Sequence, residues 1–135
     1  MNSEVESSLH DAAAEARAHS YVPYTKFDAG AAVRDTDGNI HQGSVVENIS
    51  LGLAMCAERV ALFNCVSAGG RPEALVLRAP STDGGLTAPC GACLQVALEL
   101  GGPELQVTAV GDDESHTAAV IDLLPQGPHR KNTGV

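Results

Sequence analysis

The sequence predicts a single α/β domain: a mixed five-stranded sheet with helices on its faces. Three observations lead there. Segments of helical and strand character follow one another in the order α-β-β-α-β-α-β-β. One of them, Ala74-Leu75-Val76-Leu77, is a continuous apolar run of the kind a strand shows when both its faces are covered. The 135 residues are 44% hydrophobic and 19% charged, enough apolar matter for one core and too much for a disordered chain.

Each element has its own signal. Over 3–20, Val5, Leu9, Ala12, Ala13 and Ala16 fall at helical spacing, and Pro23 stops that helix at the latest. Strands over 27–35 and 40–47 flank Asp37-Gly38-Asn39, turn chemistry that predicts a hairpin. A helix over 55–68 is closed by Gly69-Gly70. The apolar run predicts a strand over 73–79, followed by a polar loop over 81–87. A short helix then begins at Pro89-Cys90-Gly91-Ala92-Cys93 and ends at Gly101-Gly102. Strands over 105–110 and 116–120 complete the sheet, and the polar tail over 126–135 is expected to fray. Aromatic residues make up 3% of the chain, and three of the four, Tyr21, Tyr24 and Phe27, lie close together. Such a cluster either lines a pocket or plugs a local gap.

Charge and cysteine usage narrow the function. Eight basic against seventeen acidic residues give a net charge of −9, which repels phosphate backbones and predicts no nucleic-acid partner. No apolar run approaches the roughly 20 residues of a membrane span. The start, Met1-Asn2-Ser3-Glu4-Val5-Glu6, is acidic where a secretory signal is basic and then apolar. The chain therefore reads as cytoplasmic, and its four cysteines as metal or catalytic groups rather than disulfides.

Two stretches carry the chemistry: Cys56-Ala57-Glu58-Arg59 and Pro89-Cys90-Gly91-Ala92-Cys93. Each falls at a predicted helix N-terminus, where free N–H groups and the positive dipole end favour thiolates. Cys90 and Cys93 are one helical turn apart and can aim both sulfurs at one point. With Cys56 they make three protein ligands and an open fourth position, the pattern of a catalytic rather than a structural Zn²⁺. Zinc brings the pKa of bound water to about 7, and Glu58 is placed to carry the protons such chemistry moves.

At these residues a resemblance becomes specific. A His or Cys followed two residues later by Glu, and then Pro-Cys-x-x-Cys, is the pattern of the zinc-dependent nucleobase deaminases. In its Cys-Ala-Glu-Arg form this sequence resembles the small cytidine deaminases, which act on free nucleosides. Tyr21-Val22-Pro23-Tyr24-Thr25-Lys26-Phe27, Gly30-Ala31-Ala32, Glu47-Asn48, Ala61-Leu62-Phe63, Gln95-Val96 and Leu123-Leu124-Pro125 extend the likeness in the same order. The resemblance implies a three-layer α/β/α cytidine deaminase-like fold over 1–135. It also implies Zn²⁺ on Cys56, Cys90 and Cys93, with Glu58 as the catalytic proton shuttle. Phe27 would pack against the base, Glu47 would bind a ribose hydroxyl, and the backbone at Ala57 would read the pyrimidine edge. Arg59 would offset the charge of the thiolates. Hydrolysis of cytidine or deoxycytidine in pyrimidine salvage, by a homotetramer, is the implied activity.

Four departures bear on the sugar. Val45 stands where the family carries an Asn that holds the ribose, and Leu51 replaces a Tyr. Leu94 replaces an Arg after the second Cys, and Pro128 aligns with an aromatic residue. A modified cytosine nucleoside, such as a blasticidin-like antibiotic, is therefore an alternative substrate.

Blander readings stand beside these. The Cys-x-x-Cys pair could be a redox dithiol, or the zinc could be structural with His41 or His116 as fourth ligand. The whole could be a non-catalytic zinc-binding scaffold. Cys65 reads as a small buried apolar residue. His10, His19, His41, His116 and His129 read as surface residues. Glu47 could be a plain strand-end polar residue, Phe27 a core residue and Arg59 a helix-surface residue.

Overall fold

The computed structural model describes residues 3–130. The elements follow the predicted order. Helix α1 (Ser3–Arg17), strands β1 (Gly30–Asp35) and β2 (Ile40–Ser44), helix α2 (Ala57–Ser67), strand β3 (Pro72–Arg78), helix α3 (Gly91–Gly101), and strands β4 (Gln106–Val110) and β5 (Ser115–Ala119) come in turn. Two elements were not foreseen: a 3₁₀ turn over Leu51–Leu53 and a final short helix α4 (Val120–Leu123).

The five strands are ordered β2-β1-β3-β4-β5. β1 pairs antiparallel with β2 and β3, β3 pairs parallel with β4 across the α3 connection, and β5 is antiparallel to β4. The apolar run lies in the central strand, with Leu75, Val76 and Leu77 buried, as its lack of alternation requires. Pleating divides its side chains between two layers. Ala32, Ala74 and Val76 meet Leu9 and Ala13 of α1 on one face. Ala31, Val33, Leu75 and Leu77 meet Ala61, Leu62 and Cys65 of α2 and Ala97 and Leu98 of α3 on the other. The result is three layers, α/β/α.

Two glycines permit helix and sheet to touch backbone to backbone. A Cβ on Gly30 would lie 2.1 Å from the Arg17 nitrogen, and one on Gly43 would lie 2.3 Å from the Ala61 nitrogen and 2.5 Å from the Ala57 carbonyl oxygen. Each helix therefore rides directly on a strand, α1 at Gly30 and α2 at Gly43.

Several boundaries move for identifiable reasons. α1 stops at Arg17 rather than residue 20, because the next residues wind into tighter turns and the Ser20 hydroxyl donates to the Arg17 carbonyl at 2.8 Å. β2 ends at Ser44, and beyond it Val46 forms isolated bridges to both Tyr21 and Met55. That second bridge keeps Met55 extended, so α2 begins at Ala57 with Cys56 as its N-cap. At its other end the Gly70 N–H reaches the Cys65 carbonyl and the Gly69 N–H that of Val66, the Schellman arrangement expected of Gly69-Gly70. Val120 leaves the last strand to open α4 and is fully buried.

The tail is held where it was expected to fray: Gln95 donates to the Pro128 carbonyl at 2.7 Å, and the His129 ring lies 3.1 Å from the Gly127 carbonyl oxygen. Residues 131–135 of that tail, and Met1 and Asn2 of the acidic start, lie outside the described residues. Among the described residues no helix is long and apolar enough to cross a membrane.

Candidate metal centre and pocket

The N-termini of α2 and α3 converge. Cys56 is the N-cap of α2, Cys90 is the N-cap of α3, and Cys93 lies in the first turn of α3. Their three sulfurs lie within 4.8 Å of one another, with Cys90 and Cys93 at 3.5 Å. Two helix dipoles thus point their positive ends at one spot, which favours anionic sulfur.

Cys56 is held below the usual thiol range, chiefly because the Cys93 thiol donates to it and secondly because Arg59 does. Cys93 is pushed up in turn, as the group that must keep its proton for that contact, with burial adding to the shift. Arg59 Nη2 donates to the Cys56 sulfur at 3.3 Å, while its buried Nε has no partner among the described residues. One guanidinium stabilises one thiolate. Three thiolates together require a divalent cation, and a soft three-sulfur set with an open fourth position is a donor set that Zn²⁺ fits. His41 and His116 do not supply a fourth ligand. His41 belongs to a separate cluster with Asp35 and Cys65, and His116 is exposed on β5.

Glu58 lies two residues after Cys56 in the first turn of α2 and is 5% exposed. Burial raises its pKa to about 7, and the neighbouring Cys56 thiolate pushes in the same direction. A carboxyl poised near neutrality can both take up and give back a proton at physiological pH.

Beside these groups lies a cavity of about 180 Å³. Cys56, Glu58 and Cys90 form its polar end; Phe27, Val45, Ala57, Leu77 and Ala79 give it apolar walls, and Ala29, Thr87 and Ala88 complete it. A larger groove of about 620 Å³ opens on the other side of the sheet among Arg34, Arg71, Glu73 and Glu104. It contains none of the thiols, so chemistry rather than size selects the smaller cavity.

The structure brings Cys56, Cys90, Cys93, Glu58, Phe27 and Ala57 to one place, with Arg59 behind Cys56. Glu47 is outside the cavity lining. Its Oε1 accepts the Tyr24 N–H at 3.0 Å and the Thr25 N–H at 3.2 Å, and its Oε2 accepts the Thr25 hydroxyl. Those contacts, the Thr25 hydroxyl first, hold its carboxyl below the usual range. Thr25 Oγ1 also accepts the Phe27 N–H at 3.0 Å, so Glu47 anchors the segment that presents Phe27. The aromatic cluster is no packing plug: Tyr21 and Tyr24 are exposed, and Phe27 faces the cavity.

Some readings of single residues need correction. Leu94 is buried in the main core beside Ala97 and Leu98. Cys65 is fully buried, as expected. His41 is no surface residue, because its ring is paired with Asp35 at 2.8 Å. His19 and His116 are exposed, while His10 and His129 are half-buried. Thr87 and Ala88, missed in the sequence, line the cavity because they immediately precede Pro89-Cys90; their nearness to that motif was the available signal.

The chain belongs to the family described as the cytidine and deoxycytidylate deaminase zinc-binding region, which matches residues 3–109. A cytidine deaminase of Mycobacterium tuberculosis is 40% identical over 117 residues, 87% of this chain and 84% of that protein. One from Halalkalibacterium halodurans is 40% identical over 116 residues, 84% of this chain and 86% of the relative. The crystal structure of cytidine deaminase from Burkholderia pseudomallei superposes with a TM-score of 0.85 at 40% identity, covering 94% of this chain and 99% of the other.

Replacing Cys90 by Ser is expected to lower tightly bound zinc by about one equivalent per chain, measured by atomic spectroscopy on purified protein. Unchanged zinc content in that variant would overturn the ligand set.

Proposed function

We propose that the protein is a zinc-dependent hydrolase that converts cytidine or deoxycytidine and water to the uridine counterpart and ammonia. One observation carries this reading: three thiols from two helix N-termini meet Glu58 at the end of a single small cavity. The likeness to cytidine deaminases at about 40% identity supports the substrate class.

Held by Cys56, Cys90 and Cys93, zinc would supply activation of water at neutral pH. Glu58 would take the two protons of the attacking water in turn and deliver one to N3 and one to the departing amino group, as a carboxyl balanced near pH 7 can do. Phe27 packs against the pyrimidine, and the Ala57 N–H in the first turn of α2 is free of intrahelical partners and reads its edge. Arg59 neutralises part of the sulfur charge through Cys56. Glu47 takes a ribose hydroxyl with the remaining acceptor capacity of its carboxylate, three contacts being spent on Tyr24 and Thr25.

Val45 favours a second reading of the substrate. It lines the cavity with a side chain that can neither donate nor accept, so a sugar hydroxyl facing it goes unpartnered. A modified cytosine nucleoside lacking that hydroxyl, or one that carries an apolar group there, suits this wall better. A non-catalytic zinc scaffold has no use for a buried carboxyl at the cavity end, and Glu58 argues against it.

We further propose a homotetramer in the cytoplasm. Ile49, Leu51 and Leu53 stand 82%, 86% and 68% exposed on one short segment, with Phe63 and Val66 exposed on α2. Such apolar surface is what a subunit contact covers. All four cysteines are free thiols, as suits a reducing compartment.

Glu58→Gln is expected to keep zinc and fold while losing about 10² to 10⁴ in kcat, the usual weight of a positioned acid–base group. Near-normal turnover would rule out the shuttle. An unpartnered ribose hydroxyl costs about 1–3 kcal/mol, or roughly 5- to 150-fold in binding. Val45→Asn is therefore expected to lower KM for cytidine more than it raises kcat, with 2′-deoxycytidine rivalling cytidine in the unaltered protein. A low native KM for cytidine that Val45→Asn leaves unmoved would refute altered sugar recognition. Sedimentation at micromolar protein is expected to give a species of four chain masses; a monomer overturns the assembly.

A further inference from the structure

We propose that Asp35, His41 and Cys65 form a second divalent-metal site, for zinc or a cation of similar softness, remote from the cavity. It stands independently of the deaminase reading.

The three side chains come from three elements: Asp35 ends β1, His41 lies in β2, and Cys65 lies in the last turns of α2. One donor atom from each lies within 4.8 Å of the other two. Cys65 follows Cys56 by nine residues, so the cluster sits about 13 Å further along the helix axis. The two sites therefore occupy opposite ends of α2.

The donor chemistry suits a 2+ cation. Carboxylate oxygen, imidazole nitrogen and thiolate sulfur are each ordinary zinc ligands. Two are anionic and one is neutral, so a filled site adds no net charge to the interior. This matters because the Asp35 side chain is 3% exposed and Cys65 is fully buried. Only His41, 13% exposed, reaches the rim and leaves a path for the ion.

The surroundings orient the donors. Asp35 Oδ1 accepts the Asp37 N–H at 2.9 Å and the Asn39 N–H at 3.0 Å, which turns Oδ2 inward toward the His41 Nε2 at 2.8 Å. Hydrogen bonds of this kind aim ligating carboxylates in metal sites. The Schellman turn lays Gly70 against the cluster. A Cβ there would fall 2.6 Å from Asp35 Oδ2 and 3.1 Å from the Cys65 sulfur, so a side chain at residue 70 would crowd both donors. An Asp35–His41 ion pair by itself accounts for two of the three groups. Cys65 lies beside them, and a cation between sulfur and carboxylate would let that thiol ionise, which burial and the Asp35 charge otherwise oppose. Metal binding then displaces the thiol proton to solvent.

Zinc counting on the purified full chain, equilibrated with micromolar Zn²⁺ and then desalted, tests the site. The unaltered protein is expected to hold two equivalents. Cys65→Ala and His41→Gln are each expected to hold one, with cytidine turnover unchanged, since neither residue touches the cavity. Cys65→Ala keeps a small apolar group in the core, and His41→Gln alters a different element, so a folding defect in one leaves the other to decide. A zinc count that neither variant lowers below that of the unaltered protein overturns the proposal, whatever the unaltered count. Loss of turnover without loss of zinc does so as well. Zinc retained by Cys90→Ser bears on the cavity site alone.

Discussion

Everything at the cavity depends on two helix N-termini being held nose to nose. A single thiol at one helix start is merely acidic. Three thiols shared by two such starts form a donor set whose joint ionisation calls for a cation. The rest of the domain holds α2 and α3 in this relation. The central strand β3 and the side chains of Leu75 and Leu77 lie beneath both helices. The Val46–Met55 bridge sets where α2 begins, so that Cys56 caps the helix instead of lying within it.

Much of this was legible in the sequence, for physical reasons that differ by element. The central strand declared itself because burial on both faces leaves no room for alternation, and the hairpin because Asp37-Gly38-Asn39 has few other uses. Cys56, Glu58, Cys90 and Cys93 could be singled out because each short motif falls at a helix start, a local feature that sequence encodes directly. The cavity walls were harder to read. Ala29, Leu77 and Ala79 reach the cavity through tertiary packing, and nothing in their own neighbourhoods marks them. The Asp35–His41 pair escaped notice for the same reason: the hairpin brings together two residues whose surroundings read as polar surface.

The role of Glu47 illustrates how one residue can belong to two descriptions. Its carboxylate binds the Tyr24–Thr25 backbone and the Thr25 hydroxyl, and Thr25 in turn holds the Phe27 N–H. Lys26, at φ 65°, takes the left-handed conformation that this tight return requires. A ligand that drew Glu47 away would therefore act on Phe27 as well.

Gly43 sets a dimension. With no side chain between strand and helix, the depth at which α2 rests on the sheet is determined by backbone atoms alone, which neither repack nor change rotamer. In a machinist's terms it is a datum face: the offset of Cys56 from the sheet is referenced to it and does not drift as neighbouring side chains vary. Substitutions elsewhere along α2 can then accumulate while the spacing between the thiols stays to gauge.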